Sequence, residues 1–334
     1  MRVGYLDLAV PKQAIKSAIY KHPEFVSFIE SMNALFADWQ QRSTETLKSL
    51  QTDCHPKIII RELAEDLLAH YTGKPLIEQY DVYQHLMDYW AATMQDDCYL
   101  IAADGWRATT YRIIEVKKNK EGKTVKEIDK GWTCDLVPKP LIVNLYFAAQ
   151  QAAIREQEAE LENIASQITE LEEEHGGDEG TFSELDKVNK ANVTARLKEI
   201  TGNAKPPLGI KTAELGLGAP EEVILCTWLS LANEEADLKK ALREAEVELD
   251  ALAYDKYPKL TEAEIKMLVV NDKWLAAIAD AIHGEMDRIS QTLTRRVKEL
   301  AERYETPLPL QANMVLELER KVTAHLAKMG FSYE

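Results

Sequence analysis

Apolar residues recur at helical spacing through the first ninety positions. Phe25, Phe28, Ile29, Met32, Leu35, Phe36 and Trp39 fall three and four apart and make one apolar helical face. Residues 1–50 are expected to begin extended and then turn helical, with Pro11 suited to a first turn. His55 and Pro56 punctuate the chain. Residues 58–71 form a second helical pattern, stopped by Gly73 and Pro75. Residues 80–95 form a third. Asp81 stands where an N-cap belongs, and Val82, Leu86, Tyr89, Trp90 and Met94 make the stripe.

The pattern then shortens its period. Residues 98–103 are a short apolar run, and 109–116 are β-branched and aromatic. Residues 119–123 read as a turn and 124–128 as a returning strand. A small antiparallel sheet is expected over about 97–136.

From Leu141 onward the pattern is almost wholly helical. Ile154, Leu161, Ile164, Ile168 and Leu171 make a heptad-like seam with Glu-rich flanks, broken by 175–180. Leu238, Leu242, Ala245, Leu249 and Leu252 make a second seam of similar length. The pair predicts an antiparallel helical hairpin. Its tip is expected over 181–228, which hold a short helical segment and the stretch GNAKPPLGIKTAELGLGAP. Residues 261–264, TEAE, match a capping box. A long helix follows, capped by Asn271 or Asp272, with the stripe Leu275, Ile278, Ile282, Met286, Ile289, Leu293, Val297, Leu300 and Tyr304, and Pro307 and Pro309 end it. Val315, Leu318, Val322, Leu326 and Met329 predict a last helix able to fold back along it.

The fold class is therefore mainly α with a small antiparallel β-hairpin insertion: a helical body plus a projecting, coiled-coil-like antiparallel hairpin. Three regions are expected. Residues 1–147 are a mixed helical region holding the small sheet, 148–258 an acidic helical arm, and 259–334 a C-terminal pair of long helices.

Charge narrows the function classes. The 334 residues carry 40 Lys plus Arg against 56 Asp plus Glu, a net charge of −16. Such a chain is ill suited to bulk, non-specific DNA or membrane binding, although a local basic patch remains compatible. No apolar run reaches the roughly 18 residues of a membrane span, and the N-terminus lacks a secretory pattern. Cys54, Cys98, Cys134 and Cys226 lie far apart with no C-x-x-C pair, which fits a reducing cytoplasm.

One local patch reverses the overall sign. Residues 107–130 hold eight bases (Arg107, Arg112, Lys117, Lys118, Lys120, Lys123, Lys126 and Lys130) against four acids. Trp106 and Tyr111 interleave with them. Arg107, Arg112, Lys117, Lys118, Lys120 and Lys123 are the candidate DNA-backbone contacts; the competing reading is an ordinary solvated hairpin. Residues 150–202 run the other way, with thirteen acids against five bases. That is a partner-binding arm, a DNA-like decoy surface or a solvated coiled coil.

Catalytic signals are sparse. Asp104 with Glu115 and Lys117 is the pattern of a metal-dependent nuclease, in which two carboxylates hold a divalent cation and the lysine steadies the attacking water. The competing reading is a charged sheet edge that blunts aggregation. The seven His and four Cys show no ligand spacing. Cys54 and His55 are adjacent, and His85 reads more readily as a core or interface residue than as a ligand. There is no G-x-S-x-G elbow, no Walker motif and no dinucleotide fingerprint; Gly216 and Gly218 lack the third glycine. Chemistry on adenine N6 needs an acceptor, two prolines and an aromatic in sequence. The nearest string, KPPL at 205–208, has neither acceptor nor aromatic, and no Gly-rich loop for S-adenosylmethionine is present.

Residues 71–90, YTGKPLIEQYDVYQHLMDYW, are similar to the C-terminal part of the modification (M) subunit of type I restriction–modification DNA methyltransferases. MQDD at 94–97 and YLIAADGW at 99–106 continue the likeness. So do EEEHGG at 172–177, ARLKE at 195–199, KYPKLTE at 256–262, NDKWL at 271–275 and RVKELAERYETPLP at 296–309. RVGY at 2–5 resembles the segment that follows the catalytic domain in that family. The stretch 80–106, rich in Trp, Tyr, His and Met, is the most specific part.

The resemblance implies a non-catalytic region of an adenine-N6 DNA methyltransferase. The family's full-length subunit uses S-adenosylmethionine, works with a specificity (S) subunit that reads DNA, and joins a restriction subunit in the complete complex. Its cofactor loop and catalytic motif lie upstream of the matched region. No catalytic, cofactor-binding or metal-binding residue carries over, and no cofactor is expected in this chain. The expected partners are the S subunit and the catalytic part of the M subunit, with DNA reached through the assembly and no membrane. Leu275, Ile282, Ile289, Leu293 and Leu300 are the candidate partner-helix surface. The alternative is a free-standing acidic interaction or regulatory protein that mimics this region; a nuclease is the further alternative.

Overall fold

A computed structural model describes residues 10–118, 124–177, 180–202, 220–304 and 308–331. It is mainly helical, with one two-stranded antiparallel sheet, as the patterning predicts. Its contacts gather into two compact units. One comprises 1–107 and 269–334, the other 108–268, so the boundaries differ from those expected near 147 and 258. Residues 2–5, the turn 119–123 and residues 203–219 of the expected arm tip lie outside the described residues.

The first unit is built on α1 (Ile15–Lys21), α2 (Pro23–Lys48), α3 (Pro56–Tyr71), α4 (Gln79–Tyr89) and α5 (Gln95–Asp104), joined later by α11 (Ala276–Arg303) and α12 (Leu308–Lys328). Prolines open α2 and α3 at positions where the missing N–H costs nothing. Phe25, Phe28, Met32, Phe36 and Trp39 bury the predicted face of α2. The N-cap of α4 is Glu78 rather than Asp81. Asp81 sits in the first turn, where its charge favours the helix dipole.

The expected β character of 98–103 is overturned. The chain passes from α4 through a π-helical segment, Trp90–Met94, directly into α5. Met94, Cys98 and Ile101 are spaced four and three, and all are fully buried. A short apolar run satisfies either period, and this one continues the face already set by Val82, Leu86 and Trp90. Gly105, at φ 72°, supplies the left-handed turn that ends the helix.

Helix α11 buries Ile278, Ile282 and Met286 and packs on α1 and α4. Arg288 reaches from α11 to Asp81 on α4 (2.6 Å) and to the buried Glu285, which lies 3.6 Å from His85 Nε2. His85 is thus an interface residue. The hydrogen bond and charge of Arg288 hold the Glu285 carboxyl below its usual range against the cost of burial. Helix α12 forms, but no described element packs along it; the expected fold-back on α11 is not made.

The second unit holds β1 (Tyr111–Lys118), β2 (Thr124–Thr133), α6 (Lys139–Tyr146), α7 (Ala148–Glu174), α8 (Lys190–Thr201), α9 (Glu221–Lys256) and α10 (Glu262–Lys266). A π-helical segment, Met267–Leu275, follows α10. Helices α7 and α9 pack antiparallel: Trp228 Nε1 near the start of α9 donates to Glu172 at the end of α7 (2.8 Å), while Lys139, just before α7, pairs with Asp250 near the end of α9. Along the contact Ile154 and Ile164 of α7 are buried, while Leu238, Leu242, Ala245 and Leu249 of α9 are half-buried. Burial concentrates at one end, where Leu171, Phe182, Val193, Leu197, Ile224 and Leu225 form a separate core. Asn189 caps α8 by accepting from Asn192 N–H (3.0 Å). Thr261 and Glu264 form the predicted capping box of α10.

Candidate functional site

Two surfaces stand out: α12 in the first unit and the β-ribbon in the second. Leu308, Leu310, Met314, Val315, Leu318 and Val322 are each more than half exposed. Leu308, Val315 and Val322 recur every seven residues, which lines them along one side of the helix. An exposed apolar stripe of this extent is larger than scattered surface apolar residues account for. The heptad was legible in the sequence. Its availability was not, because an apolar stripe alone does not say whether its own chain covers it.

The candidate partner surface on α11 divides in two. Leu275 and Ile282 are buried in the first unit, with exposures of 0% and 2%, so they are core residues and not docking residues. Ile282 lies on the part of α11 that packs against α1 and α4, and Leu275 ends the π-helical segment that precedes it. Ile289 and Leu293 are half-buried, and Leu300 is exposed. The available part of the stripe is therefore the distal half of α11.

The ribbon pairs Tyr111 with Thr133, Arg112 with Trp132, Glu115 with Ile128 and Lys117 with Lys126, with irregularities between Arg112 and Ile114 and between Lys117 and Lys118. Its base is anchored to α9. The Trp132 ring meets Tyr254 and Tyr257 edge-on, each at 5.2 Å between centroids. Its indole N–H donates to Asp250 (2.9 Å), which also accepts from Lys139. Burial works against the Asp250 charge, but these two donors outweigh it and hold the carboxyl below its usual range. Tyr111 donates to Asp135 across the same end (2.7 Å). No sequence signal marked this cluster, since Trp132 and Lys139 lie more than a hundred positions from Asp250, Tyr254 and Tyr257.

The candidate DNA contacts belong to both units. Arg107 is exposed and belongs to the first unit; Arg112 and the lysines belong to the second. Arg112 already pairs with Asp129 (3.3 Å), and Lys130 with Glu115 (3.1 Å). Lys117 and Lys118 are placed near the far end of β1. Lys120 and Lys123 fall outside the described residues.

The residues of the nuclease pattern lie on α5 and β1. Asp104 is the last residue of a helix, not a strand residue, and Glu115 is engaged with Lys130. Among the described residues no group of three or more His, Cys, Asp or Glu side chains is assembled around a common point. All four cysteines are free thiols, and burial pushes the Cys98 thiol up to about 12, far from reactive thiolate. No described helix is long and apolar enough to cross a membrane.

One carboxylate is buried in the first unit and paired there. Asp97 on α5 accepts from Lys273 Nζ (2.7 and 2.9 Å) and from Trp274 Nε1 (2.7 Å). Burial pushes its pKa up, and Lys273 and Trp274 pull it part of the way back. Trp274 also lies 6.2 Å from Trp106. The segments MQDD, YLIAADGW and NDKWL thus meet in the core of the first unit. No family model, curated protein or solved structure matches the chain.

Proposed function

We propose that this chain is an assembly region of a type I restriction–modification M subunit, and that α12, with the distal half of α11, docks the helices of a specificity subunit. The carrying observation is the uncovered apolar stripe of α12. A helix of 21 residues with this stripe exposed has no reason to stay bare in water, and a pair of partner helices would bury it. The segments that resemble the M subunit supply the identity of the partner. The absent cofactor loop and Pro-Pro-aromatic motif make the role one of assembly, with methyl transfer carried by the catalytic part of the subunit.

The test is co-expression with the specificity subunit encoded beside this chain, followed by size-exclusion chromatography. Co-elution is expected, and Val315→Asp with Val322→Asp is expected to abolish it while leaving the helical content of the remainder intact. Separate elution of the two folded proteins refutes the reading. Stable self-association through the same stripe would instead favour the free-standing interaction protein.

A further inference from the structure

Helices α1 and α11 pack together in the first unit, and a cavity of about 410 Å³ lies where they meet. A recess of this size is in the range that takes a small organic ligand. Lys16 of α1 lines it, and so do Gln291, Thr294, Arg295 and Lys298 of α11. Glu299 and Glu302 line the end nearer the C terminus of α11.

The fold leaves this lining unbalanced in two ways. Lys16 and Lys298 make no ion pair with a carboxylate among the described residues. Arg295 reaches Glu299 only at 4.0 Å, and Arg296 engages the same Glu299 more closely, at 3.3 Å. The cavity therefore gathers three cations, two of them without a countercharge. Thr294 is the second imbalance. It is 8% exposed, and its hydroxyl has no hydrogen-bond partner. A helical threonine ordinarily donates to the carbonyl four residues back, as Thr169, Thr194 and Thr201 do in this chain. A buried hydroxyl that makes no such bond is open to a partner brought by a ligand. Lys16 is held in place as well. Its ammonium lies 5.9 Å from the centre of the Tyr20 ring, and the Tyr20 hydroxyl donates to Asp287 of α11 (2.6 Å).

A ligand that answers this lining must bring more than one negative charge and an oxygen for the threonine. A tetrahedral phosphoryl group brings both. Its oxygens diverge, and each accepts charge-assisted hydrogen bonds. A planar carboxylate presents its two oxygens in one plane and meets fewer of these groups at once. A nucleic-acid backbone fits poorly, because a long polyanion running along α11 would pass Glu299 and Glu302.

We propose that the α1–α11 cavity binds the phosphoryl group of a small phosphorylated molecule, with Lys16 and Lys298 as countercharges and the Thr294 hydroxyl as donor. The rest of the cavity takes the organic part of the ester. This does not rest on the docking role of α11. At 3.6 residues per turn, Gln291 and Lys298 project about 160° away from Leu293 and Leu300, so either reading can fail alone.

The experiment is isothermal titration calorimetry of the full chain with pyrophosphate and with inorganic phosphate, in about 50 mM salt, where charges are weakly screened. Saturable one-to-one binding of pyrophosphate is expected, with inorganic phosphate competing and citrate binding more weakly. Lys16→Glu and Lys298→Glu should each weaken it by roughly tenfold or more. Lys240→Glu on α9 makes the same change of net charge outside the cavity and should leave binding unchanged. Thr294→Val keeps the shape and removes the hydroxyl. It should weaken pyrophosphate binding while the thermal midpoint stays equal or rises, because no internal hydrogen bond is lost. A threonine with a purely structural role would give the reverse, a lower midpoint with binding unchanged. Absence of saturable binding, wild-type affinity in Lys298→Glu or Thr294→Val, equal affinity for citrate, or displacement of pyrophosphate by a short DNA duplex overturns the proposal. Circular dichroism of each variant establishes that the fold is kept.

Discussion

Asp97→Ala tests the account of the first unit most sharply. Asp97 is 3% exposed, and its two oxygens accept from the Lys273 ammonium and the Trp274 indole. The Lys273 side chain is itself only 11% exposed, so water does little to screen its charge. Removing the carboxylate takes away the countercharge while leaving the ammonium in the core. Breaking a buried pair from one side costs about 3–5 kcal/mol. Loss of the acceptor for the indole is part of that figure rather than an addition to it. Taking both charges away, as Asp97→Leu with Lys273→Met, should cost less than either single change, because a buried ion pair recovers little beyond its own desolvation. Urea unfolding followed by tryptophan fluorescence and far-UV circular dichroism measures this. With a slope of about 2 kcal/mol per molar urea, Asp97→Ala should move the transition of the first unit down by roughly 2 M. A loss under about 1 kcal/mol, or single changes whose costs simply add in the double variant, would refute the reasoning.

The second unit offers three further checks. Leu225→Ala empties part of the core formed with Leu171 and Val193, and should cost about 2–5 kcal/mol in thermal or urea unfolding. Trp132→Ala removes the anchor of the ribbon; because Trp132 is half-buried, the cost should be about 2–3 kcal/mol, below that of a fully buried ring, and amide exchange in Tyr111–Lys118 should accelerate. Glu264 is held down to about 2 by the backbone N–H of Thr261 and by Tyr146, Thr261 and Lys256. A lowered carboxylate pKa contributes stability above its unfolded value, lost as pH falls from about 4.5 to about 2. Glu264→Gln should therefore lower stability at neutral pH and reduce its decline across that acid window, as measured by unfolding midpoints in a pH series.

The sequence by itself determined the helices and the ribbon, because each is set by local periodicity. The faces of α2 and α4, the two seams of α7 and α9, the capping box at Thr261 and the heptad of α12 all follow from spacing that neighbouring residues satisfy together. Where a run was too short to show its period, at 98–103, the patterning was read as part of the sheet, and the burial of Cys98 and Ile101 beneath the same face as Met94 made it helix. The tertiary structure also decided which apolar stripes are spent and which are free. Leu275 and Ile282 read like Val315 and Val322, yet the first two are core and the last two are bare. It alone joined Asp97 to Lys273 and Trp132 to Asp250. The physical reason is common to these cases: burial and long-range pairing depend on which surfaces the chain brings together, and a repeat spacing records only that a surface exists.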